Sequence, residues 1–269
     1  MRSPGSRTSG DRKPLLIAHA YGNTRARLQT ALAAPVDAIE LDLWYRAGRL
    51  WVRHEARLDP LPLLVDRRMR RHSLPPLSLP LGKRWYVRLD INGQKLDEVL
   101  QKVAGSKTLL IDLKGSYQAQ QNLEFARRLV RAIREHAAEG WTTVCGQFWP
   151  VLEGVRKEAP DIDVRYSIEH VYQWEKFMRL VGEDERVRRV CIEHRFLSVE
   201  RVRFIEEQGV DIFCWTVDDL NEARRLAAAG ADGIISNDLE LLAELRREPR
   251  ADEPPAGDVQ QPLSRAGEV

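Results

Sequence analysis

Along this chain, short apolar and β-branched runs alternate with stretches whose apolar residues recur at i, i+3 and i+4. That alternation predicts repeated βα units around a parallel sheet. Eight runs read as strands, at residues 15–20, 38–44, 108–113, 142–148, 163–168, 189–193, 211–217 and 233–236. Helical spacing occupies 24–34, 118–138, 150–158, 171–181, 198–208 and 219–229, with Ser198 and Asp218 as N-cap candidates and Gly209 and Gly230 as stops. Eight such units predict an α/β fold of the (β/α)8 TIM-barrel type, which needs about 250 residues. One unit departs from the pattern: residues 49–54 read as an extra strand, and the Pro- and Arg-rich stretch 59–88 follows before a short helix at 97–103. The expected organisation is therefore a barrel over 14–245 with a basic insertion near 55–95. Disordered ends are expected at 1–13 and 246–269, where composition is polar and no periodicity is present.

Charge changes this picture locally. The net charge is only +2 over 269 residues. Between Arg46 and Arg88, however, 11 Lys and Arg face 3 Asp and Glu. An anionic substrate, an anionic membrane surface or an ordinary solvated loop would each account for that excess. Aromatic interleaving is sparse, which argues against a nucleic-acid partner. No apolar stretch approaches the roughly 20 residues of a spanning helix, and the first residues lack the apolar core of a secretory signal. Cytoplasmic residence is the resulting expectation. Cys145, Cys191 and Cys214 are odd in number, widely separated and set in apolar runs, so they read as core residues.

In a barrel of this type the reacting groups sit at the C-terminal ends of strands. His19 closes the first run, Glu40 and Asp42 end the second, His54 closes the extra strand, and Asp112 and Lys114 close the third. Residues two apart on a strand share a side, so Glu40 pairs with Asp42 and Asp112 with Lys114. Three carboxylates meeting at one mouth repel one another unless a hard cation or protons compensate them. Their oxygen-rich chemistry suits Mg2+ or Ca2+. Such an ion together with Lys114 suits phosphoryl chemistry, and two histidines can divide the proton work of ester cleavage. Taken singly, a strand-end His more often makes an ordinary hydrogen bond, and a Glu-x-Asp pair more often forms a solvated edge.

The ordered set His19, Glu40-Leu41-Asp42, His54 and Asp112-x-Lys114 resembles the glycerophosphodiester phosphodiesterase superfamily. The stretch FCWTVDDLNEARRLAAAGADGIISND, at 213–238, resembles the closing strand, helix and strand of that superfamily. The resemblance implies His19 and His54 as the acid/base pair, Glu40, Asp42 and Asp112 as ligands of one divalent cation, Lys114 as a phosphate contact and Trp215 as a wall of the substrate pocket. It also implies a small phosphodiester or lysophospholipid as substrate. Departures are Ala20 where the superfamily has Arg, Gly22-Asn23 where it has Glu-Asn, and Glu55 where it has Asp. The sequence DLKGS is closer to the sphingomyelinase D branch, which forms a cyclic phosphate by attack of an internal hydroxyl. A barrel that has lost turnover and binds phosphorylated ligands is the rival expectation.

Overall fold

The computed structural model describes residues 13–58, 60–67, 77–90 and 93–248. Most of the two expected disordered ends, 1–12 and 249–269, lies outside the described residues. In chain order the strands are β1 (Leu15–Ala18), β2 (Ala38–Arg46), β3 (Arg49–Val52), β4 (Ala56–Arg57), β5 (Leu63–Arg67), β6 (Ser78–Leu81) and β7 (Trp85–Leu89). They continue with β8 (Gln94–Lys95), β9 (Thr108–Leu113), β10 (Thr142–Gly146), β11 (Asp163–Ile168), β12 (Arg189–Glu193), β13 (Asp211–Trp215) and β14 (Gly233–Ser236). The helices are α1 (Arg25–Ala33), α2 (Leu96–Val103), α3 (Ala119–Glu135), α4 (Trp149–Glu158), α5 (Val171–Glu183), α6 (Val199–Glu207), α7 (Leu220–Ala228) and α8 (Leu239–Arg247).

Strands β1, β2 and β9 to β14 form a parallel sheet that closes through the pairing of β1 with β2, giving the expected (β/α)8 barrel. Because side chains alternate along each strand, every barrel strand sends one set of residues inward and the other toward the helices. The outward set, including Leu16, Leu41, Ile111, Val144, Ile212 and Ile234, is buried under the helix layer. The inward set stacks in layers. Its middle layer is Ile17, Ala38, Leu110, Cys145, Cys191, Phe213 and Ile235, a packed plug that includes two small thiols. All three cysteines are buried and free, as expected of core residues. Below the plug, Arg165 stacks its guanidinium 3.5 Å from the Phe213 ring centroid, and Asp163 pairs with Arg189 at 3.0 Å. The side chains one step above the plug form the candidate site.

The insertion is ordered where it is described. Strands β4, β5, β7 and β6 form a second, antiparallel sheet, while β3 and β8 extend the barrel sheet beyond β2. The sequence pattern does not reveal this second sheet, because its short strands carry Pro and Arg and pack on one face only. At the C-terminal end, α8 continues to Arg247, past the expected limit of the fold, with Leu241, Leu242 and Leu245 buried. Arg246 holds Asp37 at 2.5 Å, and Lys13 donates to the carbonyls of Arg246 and Glu248, so both ends of the barrel segment are tied down. No helix among the described residues is long and apolar enough to cross a membrane.

Candidate active site

The fold places all seven predicted residues, His19, Glu40, Asp42, His54, Asp112, Lys114 and Trp215, at one end of the barrel. Glu40 and Asp42 lie inside β2 rather than at its end, because β2 runs on past the barrel rim to form a hairpin with β3. In register, Asp42 lies beside Asp112 of β9. Among the described residues, Glu40, Asp42 and Asp112 bring ligand oxygens within 4.8 Å of one another. Lys114 inserts its ammonium between two of them, 2.8 Å from Asp42 Oδ1 and in contact with Asp112 Oδ2.

One ammonium among three carboxylates leaves a net negative cluster. Burial, then Asp42 and Asp112, push the Glu40 carboxyl well above its usual range. Burial also opposes ionisation of Asp42, but Lys114 and the two histidines outweigh it, and its titration moves down. Lys114 is likewise opposed by burial and held well above its usual value by Asp112, Asp42 and Glu40. Asp112 Oδ1 is buried and has no hydrogen-bond partner among the described residues, an orphaned oxygen of the kind that invites a cation. The donor set is all oxygen, so the residues present fit a hard divalent ion.

The two histidines occupy different environments. His19 follows β1, where Ala20 turns into the left-handed region at φ 56°. Strand β1 therefore ends at Ala18, two residues before the sequence pattern suggests. This turn lets the Ala20 N–H donate to Glu40 Oε2 at 2.5 Å and brings His19 Nε2 to 3.9 Å from the same oxygen. His19 Nδ1 lies 2.9 Å from the Asn237 side-chain oxygen, which can only accept, so the Nδ1 proton is fixed and Nε2 is left as a free base. Burial, chiefly, lowers the titration of His19. His54 stands in a bend past β3, which ends at Val52, with Nδ1 2.5 Å from Asp66 Oδ2 on β5. That hydrogen bond raises the His54 titration against the opposing effect of burial.

Four supporting residues escape the sequence pattern. Asn237 donates its amide to Asp218 Oδ2 at 2.8 Å, and its backbone N–H and the Ser236 hydroxyl donate to Asp218 Oδ1. Asp218 thus orients the residue that orients His19. It is not the cap of α7; Asp219 performs that role by accepting from the Glu222 N–H. Asn23 grips Asp42 from both sides, its amide donating to Oδ2 at 2.5 Å and its carbonyl oxygen accepting from the Asp42 N–H at 2.8 Å. The fourth is Asp66, whose position on the insertion gives no sign of a role. Gly22 explains one departure in this loop: a Cβ there would lie 2.6 Å from Leu41 Cβ, leaving no room for a side chain.

Trp215 is half-buried at the top of β13, packed against the inner plug, with an indole N–H that has no hydrogen-bond partner among the described residues. Glu193, at the same level on β12, is engaged by Arg195 at 2.5 Å.

The description "Glycerophosphoryl diester phosphodiesterase family" belongs to the family model that matches residues 7–241. A glycerophosphodiester phosphodiesterase of Caldanaerobacter subterraneus subsp. tengcongensis is 26% identical over 255 residues, covering 87% of this chain and 98% of the relative. An Arabidopsis thaliana glycerophosphodiester phosphodiesterase is 23% identical, covering 89% and 75%. Among solved structures, a glycerophosphoryl diester phosphodiesterase from Silicibacter pomeroyi superimposes with a TM-score of 0.69 at 20% identity, covering 88% of this chain and 94% of the other. An Oleispira antarctica phosphodiesterase in complex with the product sn-glycerol-3-phosphate superimposes with a TM-score of 0.64 at 16% identity, covering 90% and 100%. At these identities the structural likenesses show the fold.

Proposed function

Because this chain belongs to the glycerophosphoryl diester phosphodiesterase family and is a phosphoric diester hydrolase, we propose that the His19/His54 site cleaves a small glycerophosphodiester, or a lysophospholipid of the same headgroup chemistry. The observation that carries this reading is the unequal setting of the two histidines. His19 is fixed with Nε2 unprotonated and is lowered in titration, so it is suited to accept the proton of an attacking hydroxyl. His54 is raised by Asp66 and suited to deliver a proton to the leaving ester oxygen. Water oxygen bonds to phosphorus as the P–O bond to the alcohol breaks. His19 takes the proton of the water, and His54 supplies one to the departing alkoxide.

Glu40, Asp42 and Asp112 would hold one divalent cation, Mg2+ or Ca2+, whose charge would offset that developing on the phosphoryl oxygens. Lys114 would add a positive point charge to the same oxygens. Trp215 would supply an apolar wall beside the substrate. The complex of the Oleispira antarctica relative with sn-glycerol-3-phosphate supports a glycerol-phosphate product. Phosphorus NMR of reactions with glycerophosphocholine and lysophosphatidylcholine tests the proposal. A phosphomonoester signal is expected. A cyclic phosphate would instead assign the attack to an internal hydroxyl, as in the sphingomyelinase D branch, and would overturn hydrolysis by water.

A further inference from the structure

Cross-strand register divides the insertion sheet into two unlike faces. Directly opposed residues of antiparallel strands point the same way. Leu64, Asp66, Tyr86 and Arg88 therefore share one face, through the pairs Leu64 with Arg88 and Asp66 with Tyr86. This face belongs to the barrel: Leu64 and Tyr86 are buried, Asp66 holds His54, and Tyr86 and Arg88 both donate to Glu55. The other face carries Leu63, Val65, Val87 and Leu89, continued onto β6 by Leu79 opposite Val87 and Leu81 opposite Trp85. Its outer members are open, with Leu79 69%, Leu81 56%, Leu89 49% and Trp85 40% exposed. A row of Leu and Trp on an exposed sheet face is an interaction surface rather than scattered surface apolarity.

Charge identifies the occupant. Residues 67–89 contain seven Lys and Arg and no Asp or Glu. Among them, Arg67 lies over the Trp85 ring at 5.3 Å, on the apolar face, and Lys83 and Arg84 sit in the turn between β6 and β7. Leu and Trp bordered by Lys and Arg, with no acidic residue interposed, is the chemistry of an anionic membrane surface. The apolar side chains enter the headgroup boundary while each cation gains from the surface potential. A second copy of the chain seated on the same face would bring Arg67, Lys83 and Arg84 against like charges.

We propose that this outer sheet face docks the protein on bilayers containing anionic phospholipid, which would place His54, held from the opposite face of the same sheet, close to the lipid headgroups. Docking is independent of which diester is cleaved and is read without turnover. The test is co-sedimentation of the whole chain with phosphatidylcholine vesicles, with and without phosphatidylglycerol, alongside L79S/L81S and K83E/R84E variants. The chain is expected to pellet with the phosphatidylglycerol vesicles and not with phosphatidylcholine alone. Either double substitution should weaken partitioning roughly tenfold or more, while turnover of soluble glycerophosphocholine stays at the parent level. Equal partitioning of parent and both variants, or no binding to anionic vesicles, overturns the proposal. Self-association of the parent in sedimentation velocity that L79S/L81S abolishes, with no vesicle binding, overturns it in favour of a second copy of the chain.

Discussion

His54 Nδ1 lies 2.5 Å from Asp66 Oδ2, joining the barrel's hairpin extension to the separate insertion sheet. A group twelve residues away, on an element outside the barrel, is thereby hydrogen-bonded to a proposed catalytic residue. The carboxylate raises the His54 titration, whereas burial lowers that of His19. Activity should then fall at acid pH as His19 gains its proton and at alkaline pH as His54 loses its own, with the plateau between. Replacing Asp66 by Asn should move the alkaline limb of the kcat/KM profile to lower pH and leave the acid limb in place. A profile unmoved in D66N would separate Asp66 from the acid.

His19→Ala and His54→Ala should each lower kcat by about 10²–10⁴-fold, the usual contribution of a positioned acid or base. Steady-state kinetics on the preferred diester checks this. A loss of a few-fold in either variant would remove that residue from the chemistry.

Asn237→Ala removes the acceptor that fixes the His19 tautomer, and Asp218 acts one step behind it. Roughly 10–100-fold lower activity is expected for N237A, the usual cost of losing an orienting partner. The fall should be in kcat, with KM little changed, since neither side chain is proposed to touch substrate.

The cation reading predicts a ligand effect on stability as well as on rate. Titration of Mg2+ or Ca2+ to about 100 times its Kd should stabilise the fold by about 2.7 kcal/mol, or roughly 5–10 °C in Tm. Asp112→Asn should abolish that shift, and Asn23→Ala, which frees Asp42, should weaken the apparent affinity by about 10–100-fold. Differential scanning fluorimetry with and without EDTA reads all of these.

Gly22→Ala should destabilise by about 1–3 kcal/mol, the typical cost of overpacking, because the new Cβ meets Leu41 Cβ at 2.6 Å. Urea unfolding measures it, and an unchanged midpoint would show that the loop gives way instead.

The barrel was legible because each of its strands is buried and so reads as an apolar run such as LLIDL or CIE, bounded by polar turns. The metal-type cluster was legible for the same reason, since acidic residues interrupting such runs stand out. What escaped has a common physical cause: partnership across distant segments leaves no local signature. Asp218 looks like a helix cap because it precedes α7, yet its oxygens belong to Ser236 and Asn237 on the neighbouring strand end. Asp66 sits in a Pro- and Arg-rich stretch whose short strands bury only one face. The apolar pattern runs past the end of β1 because the left-handed turn at Ala20 is imposed by contacts of that loop, whereas Ala itself carries no preference for it.

The most direct test is turnover of glycerophosphocholine by the parent chain, by H19A and by H54A, each assayed after EDTA treatment and again after restoring Mg2+ or Ca2+. Parent turnover that disappears with EDTA, returns with the cation and is lost in both variants is the predicted result. Turnover indifferent to EDTA, or a folded parent inactive on glycerophosphodiesters and lysophospholipids alike with the cation present, would contradict the assignment of this site.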